Sequence, residues 1–490
     1  MSASEGIVLG RAEVEAAIAR LDLESMTRAR WFGAKGRTVT AASLDEAFVL
    51  DESGPHVLAI VSLTLDHGPR QRYTFALTGA LLREAAPGDG AWRALGVAMG
   101  EGRIIAAIPF ASDGAPDRAG PGPIRAALVC RPALAFATLV PGGPEQLAAG
   151  TERDLGADQS NTSVVLADRL LLKAYRRLQE GLNPDLEMTA FLSEEAGFPA
   201  VPRLAGFAEL VARDGTSTVA MAQEFVADGA DAFESLAETL TVWLLAPGEV
   251  SVEYATEIAA DLGTLTAGLH AALSEAHGVP EMAPRTATRD EIRAWASEAR
   301  THLDTALEIA PVDAGTTVRD VAPRIAEALT VLDALPTTPE VIRAHGDYHL
   351  GQLLVAPDGF RIIDFEGEPL SPPEARRAHR SPLRDVASML RSLDHVARSA
   401  RRRAEAANGG PLLRAGLDLE AWIRRARERF LDAYRTGLRE ARVSIDLDPA
   451  LLRAFEIDKE LYEFAYATTY LPAWLYAPTE GMRALFEDDA

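Results

Sequence analysis

The sequence has 490 residues, which is enough for roughly two to four domains or subdomains. Hydrophobic residues make up 48% of it and charged residues 25%, as in an ordinary soluble globular protein. Its formal net charge is −23, which argues against nucleic acid or an anionic membrane as the main partner, because both attract basic surfaces.

The single cysteine, Cys130, excludes an internal disulfide and favours a reducing compartment. The sequence shows no signal-peptide pattern and no apolar run of membrane-spanning length. Together these features predict a cytoplasmic protein.

Residues 1–90 are predicted to form a small sheet with one helix. The helix covers Ala12–Arg30, where apolar residues recur at helical spacing. The turn Arg30–Arg37 then carries two aromatic and three basic residues, and we favour a packing corner there over an anion or lid contact. Three strands follow, separated by turn residues, at Ala47–Leu50, Val57–Thr64 and Arg72–Leu77.

Residues 91–150 give weaker signals. Arg103–Phe110 and Ala126–Cys130 are compatible with strands, and loops rich in Pro and Gly lie between them. Because no site chemistry is evident here, we interpret the stretch as an intermediate subdomain.

A hairpin is predicted after residue 151. The polar run Asp158–Ser163 precedes the strand Val164–Leu166, and Ala167–Asp168 turns the chain into the return strand Leu170–Tyr175. Backbone N–H groups and hydroxyls at the mouth of such a hairpin can bind phosphate oxygens. The candidate nucleotide-binding residues of this run are Ser160, Asn161, Thr162 and Ser163.

Lys173, one of three lysines in the chain, lies in the return strand among apolar neighbours. Burying its ammonium alone would be costly, so we expect it to pair or to touch a ligand. A helix is predicted to begin after Asn183, with Pro184 at its first position and Gly197 at its end. Glu187 on that helix is the candidate partner, as in protein-kinase-like lobes, and a solvated Glu187 is an equal alternative.

The strand Thr218–Val226 would end at the hinge of a two-lobed nucleotide enzyme. Backbone groups at a hinge can hydrogen-bond to adenine. Because such contacts do not depend on the side chains, this signal is weak by itself. The candidate residues are Gln223, Glu224, Phe225 and Val226.

Most of the remaining chain is predicted to be helical. Ser381–Leu390 begins one helix, with Ser381 as its cap and Pro382 at its first position. The other predicted helices are Val252–Leu273, Arg289–Ala310, Val318–Leu335, Leu417–Tyr434 and Leu451–Leu475.

The most informative stretch is the polar loop Arg343–Gln352, which is followed by Arg361–Pro369. Two short strands around the turn Pro357–Gly359 are predicted to form a hairpin between them. One end of this hairpin then collects three acidic residues, Asp347, Asp364 and Glu366, together with Gln352. Phosphoryl transfer requires a carboxylate that receives the acceptor's proton and oxygen ligands for magnesium, and this end offers both.

Two further sets of residues are candidates for the acceptor side. Arg384 and Asp385 are expected either to brace the polar loop or to bind the acceptor. A candidate sugar-binding wall of aromatic rings and a carboxylate comprises Tyr462, Glu463, Tyr466, Tyr470, Trp474 and Tyr476. Among these, Glu463, Tyr466 and Trp474 are the candidate acceptor-binding residues. For any single aromatic residue, a place in the core is an equal alternative.

His345–Leu354 together with Ile363–Pro369 resembles the aminoglycoside-phosphotransferase-like branch of the protein-kinase fold. Within that branch, four segments are similar to those of actinobacterial maltokinases: Arg30–Arg37, Ser381–Asp394, Glu460–Glu463 and Pro472–Leu475. The resemblance implies an α+β, two-lobed, protein-kinase-like fold. Its expected parts are an N-terminal cap (1–90), an intermediate subdomain (91–150), the rest of the N-lobe with the phosphate hairpin and hinge (151–227), and a mainly helical C-lobe (228–490).

The resemblance also implies roles for the central residues. Asp347 would be the catalytic base, and Gln352 and Asp364 would bind magnesium. Glu366 would serve the metal or hold the acceptor, and His349 would lie on the acceptor side.

The leading prediction is a maltokinase that uses ATP and Mg²⁺ to make maltose 1-phosphate for the trehalose and glycogen pathways, with Lys173 on the ATP phosphates. The segment Tyr466–Pro478 departs from a typical maltokinase, so a kinase for glucosamine or another amino sugar is an alternative. A non-catalytic pseudokinase or scaffold is a second alternative, which the intact Asp347, Gln352 and Asp364 disfavour. We expect a monomer or homodimer that can associate with a trehalose- or maltose-pathway enzyme.

Overall fold

The computed structural model describes residues 9–29, 31–51, 56–109, 125–156, 161–246, 252–368, 371, 373–412 and 415–487. The chain divides into two compact units. The first unit comprises Met1–Glu195 and Pro202–Ala227, and the second comprises Ala196–Val201 and Asp228–Ala490. The finer predicted boundaries at residues 90 and 150 stay predictions.

The described residues of the first unit form two antiparallel sheets. Predicted strands are present in both, and most are longer than the sequence indicated. The five-stranded sheet has the order Val39–Asp51, His56–Leu65, Gln71–Thr78 and Arg177–Leu178, with Arg83–Glu84 paired to Gln71–Thr78. The seven-stranded sheet has the order Ile104–Ala106, Ala126–Pro132, Leu204–Ala212, Gly215–Glu224, Leu170–Ala174, Thr162–Leu166 and Glu152–Asp154.

Helices of the first unit are short. The single predicted helix Ala12–Arg30 is wrong, because the chain turns after residue 18 and the side chain of Asp22 caps a second helix through the amide of Ser25. Trp92 and Met99, on a helix that the sequence did not reveal, are buried in the core. The helical segments are Arg11–Ile18, Leu23–Arg28, Ala91–Glu101, Phe136–Leu139, Gly143–Ala149, Pro184–Ala190 and the π-helical turn Phe191–Glu195.

The second unit is mainly helical, as predicted. Trp422, Tyr348, Phe430 and Phe464 are fully buried in it. Its α-helices are Ala232–Leu245, Val252–Ser274, Arg289–Ile309, Val312–Leu329, Pro373–Arg376, Leu383–Asn408, Ala415–Ala441, Pro449–Tyr470 and Tyr476–Glu487. Its 3₁₀ turns are Ala276–Gly278, Thr330–Leu332, Leu350–Gln352 and Pro472–Trp474. Its strands are Ala230–Asp231, Arg285–Thr286, Glu340–Val341, Leu353–Ala356 and Gly359–Ile362.

Several predicted helix ends in the second unit differ from those observed. The helix predicted to have Ser381 as its cap and Pro382 at its first position begins at Leu383, with Pro382 at the N-cap position. The predicted helix Leu417–Tyr434 extends over Ala415–Ala441. The predicted helix Val318–Leu335 begins earlier, at Val312, and runs through Pro323 before it ends at Leu329. The helix expected to continue to Leu475 ends at Tyr470. Among the described helices, none combines the length and apolar character needed to cross a bilayer.

Candidate functional site

The predicted central hairpin is present in the second unit. Strands Leu353–Ala356 and Gly359–Ile362 pair antiparallel. The amide of Ile363 then donates to the carbonyl of Gln352 at 2.9 Å, which extends the pairing by one step. Gln352 and the residue after Ile363, Asp364, therefore lie at the same end of the hairpin. Asp364 has φ +65°, a left-handed conformation that Asp adopts more readily than most residues.

Helix Leu383–Asn408 braces the polar loop that precedes this hairpin. The buried carboxylate of Asp385 accepts hydrogen bonds from the amides of His345 at 2.8 Å and Gly346 at 3.0 Å. Its third partner is Nε2 of His270, at 3.3 Å. Burial would raise the pKa of Asp385, but His270 and the amide contacts outweigh burial and lower it. Of the two predicted roles for Asp385, these contacts support bracing.

The side chain of His345 ties the loop to the second strand. Its Nε2 lies 3.1 Å from the carbonyl oxygen of Ile363, and its Nδ1 accepts from the amide of Asp347 at 3.4 Å. The first contact requires a proton on Nε2 and the second a lone pair on Nδ1, which is the neutral tautomer. Burial lowers the pKa of His345 and so favours this neutral form. His345 thereby fixes the loop with respect to the segment that carries Asp364.

Asp347, the predicted base, is buried between two basic side chains. Its Oδ1 accepts from Nζ of Lys459 at 3.0 Å, and its Oδ2 lies 3.6 Å from Nε2 of His349. Nδ1 of His349 accepts from the amide of Gly351 at 3.1 Å, so the ring proton lies on Nε2, toward Asp347. Burial would raise the pKa of Asp347, but Lys459 and His349 outweigh burial and lower it.

Lys459 is a residue that sequence reasoning did not place in the site. Its ammonium lies 3.0 Å from Asp347, 3.1 Å from Oε1 of Glu463 and 3.4 Å from Oε1 of Glu368. It also lies 4.7 Å from the ring centre of Tyr462. Burial would lower the pKa of Lys459, but the carboxylates raise it well above its usual value. Three carboxyl groups thus face one lysine ammonium.

The predicted aromatic wall is divided between two groups of rings. Tyr466 stacks on Tyr462, with ring centres 6.3 Å apart, and so lies next to the ring that covers Lys459. The ring of Trp474 instead contacts Phe233 and Tyr476, each at 5.5 Å. A direct contact of either predicted wall residue with an acceptor stays a prediction.

Arg384 lines a small cavity together with Lys459 and Glu368. Its guanidinium pairs with Asp458 at 3.1 Å and Glu298 at 3.0 Å. Two of its nitrogens are therefore engaged within the protein, which supports a bracing role more than an acceptor contact.

In the first unit, the expectation that Lys173 is paired is confirmed. Its Nζ lies 2.6 Å from Oδ2 of Asp185, to which the hydroxyl of Tyr175 also donates at 3.3 Å. Helix Pro184–Ala190 carries Asp185, and the Asn183 side chain caps this helix as predicted. Sequence reasoning missed Asp185.

The other predicted nucleotide-binding residues lie in the first unit as well. Glu187 is buried on the helix that carries Asp185, and its contact with a nucleotide stays a prediction. Among the small polar residues, Ser160 falls outside the described residues and Asn161 directly precedes the strand Thr162–Leu166. The hydroxyl of Thr162 accepts from Nε of Arg176 at 2.7 Å. The hairpin itself is confirmed, with Ser163 opposite Lys173.

Two backbone donors of the predicted hinge are used within the first unit. The amide of Glu224 donates to the carbonyl of Arg203, and the amide of Phe225 donates to that of Arg169. Gln223 is paired with Leu204 in the sheet. An adenine contact in this segment would therefore use other backbone groups, such as those of Val226.

Comparison with known proteins gives consistent matches along most of the chain. Residues 151–442 match APH, the phosphotransferase enzyme family. A glucosamine kinase of Streptacidiphilus jiangxiensis is 34% identical over 432 residues, which is 85% of this chain and 94% of that protein. A glucosamine kinase of Mycolicibacterium smegmatis (strain ATCC 700084 / mc(2)155) is 30% identical over 338 residues, which is 69% of this chain and 80% of that protein.

Solved structures agree with these sequence matches. A glucosamine kinase in complex with glucosamine, ADP and inorganic phosphate has a TM-score of 0.71 at 27% identity, over 96% of this chain and 98% of that one. Crystal form B of a glucosamine kinase has a TM-score of 0.74 at 27% identity, over 96% and 99%. The predicted α+β, protein-kinase-like fold is thereby confirmed. The chain belongs to the phosphotransferase enzyme family.

Proposed function

We propose that this protein is an ATP- and magnesium-dependent sugar kinase whose acceptor is an amino sugar, with glucosamine as the first candidate. The observation that carries the choice is the excess of carboxyl groups around the predicted base. Asp347, Glu368 and Glu463 share the ammonium of Lys459. An acceptor that brings its own ammonium would offset that excess of negative charge. The names of the two curated relatives support the same choice.

The predicted maltokinase activity stays a competing prediction. Neither of the two curated relatives described above is named a maltokinase. A neutral disaccharide would bring no charge to the carboxyl groups near Lys459 and would depend on hydroxyl and ring contacts instead.

In the proposed reaction, Asp347 accepts a hydrogen bond from the acceptor hydroxyl and orients it toward the γ-phosphorus of ATP. The transition state of phosphoryl transfer is loose, so positioning and charge stabilisation contribute more than a strong base does. A carboxylate whose pKa is lowered suits that orienting task, because it remains ionised and accepts the hydrogen bond. The hydroxyl proton passes to Asp347 as the new oxygen–phosphorus bond forms and the bond to ADP breaks.

The residues at the end of the hairpin fit a magnesium site in chemical type. Gln352, Asp364 and Glu366 offer amide and carboxylate oxygens, which are the ligands that Mg²⁺ prefers. When bound, the ion would neutralise charge on the ATP phosphates. In the first unit, Lys173 would add a second positive charge for those phosphates, with Asp185 holding its side chain.

An acceptor panel tests the proposal. Glucosamine, maltose, glucose and trehalose are each incubated with ATP and Mg²⁺, and the products are identified by phosphorus NMR. Turnover of glucosamine well above that of the three neutral sugars is expected. Turnover of maltose without turnover of glucosamine would establish the maltokinase prediction instead. Bound nucleotide with no phosphotransfer to any sugar would favour the pseudokinase alternative.

The variant Asp347→Asn tests the assignment of the base. It keeps the size of the side chain and removes its charge, so we expect the affinity for ADP to be retained and turnover to fall by about 100-fold or more. Calorimetry with ADP and a coupled assay of ADP release measure the two quantities. Parent-like turnover would exclude Asp347 as the base.

A further inference from the structure

Helix Pro449–Tyr470 carries three consecutive buried ionisable residues, and each has different partners. Asp458 pairs with His302 at 2.7 Å, and it also holds Arg384. Glu460 pairs with His395 at 3.0 Å. Lys459, between them, reaches the polar loop and contacts Asp347. Of these three residues, Lys459 is the one whose contacts include the proposed base.

The position of this ammonium restricts the Asp347 carboxylate. Oδ1 is engaged by Lys459 at 3.0 Å. Oδ2 lies 3.6 Å from Nε2 of His349, which is longer than an ordinary hydrogen bond. Oδ2 is therefore the oxygen that can accept a hydrogen bond from the sugar hydroxyl. Lys459 fixes the side-chain torsion angle of Asp347 that directs Oδ2 toward that hydroxyl.

The other contacts of Lys459 fix the ammonium itself. Glu463, one helical turn further along, holds it at 3.1 Å, and Glu368 of the segment after the hairpin holds it at 3.4 Å. The lysine side chain is 9% exposed, and the Tyr462 ring covers it at 4.7 Å. An ammonium with three carboxylate partners and a ring over it has little freedom to move, so it can determine where Asp347 lies.

We propose that Lys459 is a positioning residue of the phosphotransfer site, which orients the Asp347 carboxylate toward the acceptor hydroxyl and links it to Glu463 and Glu368 on the acceptor side. The proposal rests on the proposed function, since it concerns the same reaction. In this reaction, Lys459 itself forms no bond with the transferred phosphoryl group. A purely structural ion pair would contribute to stability alone, whereas a positioning residue also affects turnover.

The variant Lys459→Met keeps the length of the side chain and removes its charge. We expect kcat to fall by about 100-fold, because a misplaced carboxylate loses its alignment with the hydroxyl. The affinity for ADP is expected to stay within about twofold of the parent. The acid limb of the kcat profile should move to higher pH, because loss of the ammonium allows the pKa of Asp347 to rise. Turnover within about threefold of the parent and an unmoved acid limb would overturn the proposal.

Arg427→Met is the matched control. Arg427 pairs in a two-point contact with the buried Glu456 of the same helix and has no contact with Asp347 among the described residues. This variant should lower the melting temperature and leave the pH dependence of kcat unchanged. If it lowers kcat as much as Lys459→Met does, the effect is structural and the proposal fails.

A second variant decides the outcome if Lys459→Met does not fold. Lys459→Met with Glu463→Gln removes one carboxylate together with the ammonium and so relieves the charge imbalance. Because Glu463 lies on the acceptor side, the reference is Glu463→Gln alone. Turnover of the folded double variant well below that of Glu463→Gln supports positioning, and equal turnover of the two variants overturns it. Carbon-13 NMR of the Asp347 carboxyl, assigned with Asp347→Asn, gives a readout without turnover. If the parent protein phosphorylates no sugar, the proposed function fails. If the pKa of Asp347 does not rise in Lys459→Met, the contact between Lys459 and Asp347 is refuted, whatever the reaction.

Discussion

The substitution Asp385→Asn tests how strongly helix Leu383–Asn408 holds the polar loop. The carboxylate accepts from the amides of His345 and Gly346, one at each oxygen. An Asn side chain keeps one acceptor oxygen, so one charge-assisted hydrogen bond is lost and one buried amide is left without a partner. These losses amount to about 3 kcal/mol of local stability.

Hydrogen exchange at the two loop amides is the direct assay, because the two-unit chain need not unfold in a single step. A loss of about 3 kcal/mol corresponds to a roughly 100-fold loss of protection. Because the loop carries Asp347, turnover should fall as well, while the affinity for ADP should change little.

The stabilisation of the polar loop by Asp385 is expected to decrease at acid pH. The pKa of Asp385 is lowered in the folded protein, since His270 and the amides outweigh the opposing effect of burial. The stabilisation is therefore present above the ordinary pKa of an Asp carboxyl and is lost as pH falls through the lowered value. The protection difference between parent and variant should narrow in that acid range.

Asp358→Asn is the control for this prediction. Asp358 is an exposed residue of the hairpin turn, paired with Arg361 at 2.6 Å in the same unit. The same chemical change at this exposed ion pair should leave amide protection in the loop unchanged. Equal protection of the loop amides in parent and Asp385→Asn would refute the bracing argument.

Two further substitutions probe other parts of the molecule. Lys173→Met should weaken ADP binding at least about tenfold in calorimetry, because the ammonium held by Asp185 is expected on the phosphates. Gly481→Ala should lower the free energy of unfolding by about 1–3 kcal/mol in a thermal or urea titration, because an added Cβ would collide with the buried Glu460 carboxylate.

Each of these substitutions has a control in the same chain. Lys35→Met removes an exposed ammonium and should leave ADP affinity unchanged; an equal loss would mean that general charge, rather than Lys173, attracts the nucleotide. Gly410→Ala adds a methyl group with nothing within 4 Å of it. Equal stability of the two alanine variants would show that the Glu460 region can rearrange at little cost.

The sequence was sufficient for the hairpin because its signals are local. A short apolar run before the turn at Pro357–Gly359 and a second apolar segment after it determine two short strands, and strand pairing then places Gln352 and Asp364 at one end. The sequence also indicated that Lys173 needs a partner. It did not point to Asp185, because Asp185 and Glu187 both follow the Asn183 cap, and the orientation of the helix that carries them depends on packing.

Lys459 could not be placed from local pattern. It is 112 residues from Asp347 in the sequence, and their contact depends on how helix Pro449–Tyr470 packs in the second unit. One signal was available, since lysine is rare in this chain and Lys459 lies between two acidic residues on a predicted helix. The helix Ala91–Glu101 was missed for the opposite reason, because its Gly and Ala residues give a weak periodic signal.

The ion pairs of helix Pro449–Tyr470 also constrain which insertions the chain can tolerate. Each residue added inside an α-helix turns everything beyond it by about 100°. An insertion just before Asp458 would therefore direct Asp458, Lys459 and Glu460 away from their separate partners and bring charges of the wrong sign together. Residues 443–448 precede the helix and are not helical, so an insertion there would not rotate these three residues away from their partners. Length variation among relatives is therefore expected in that connection and not within the helix.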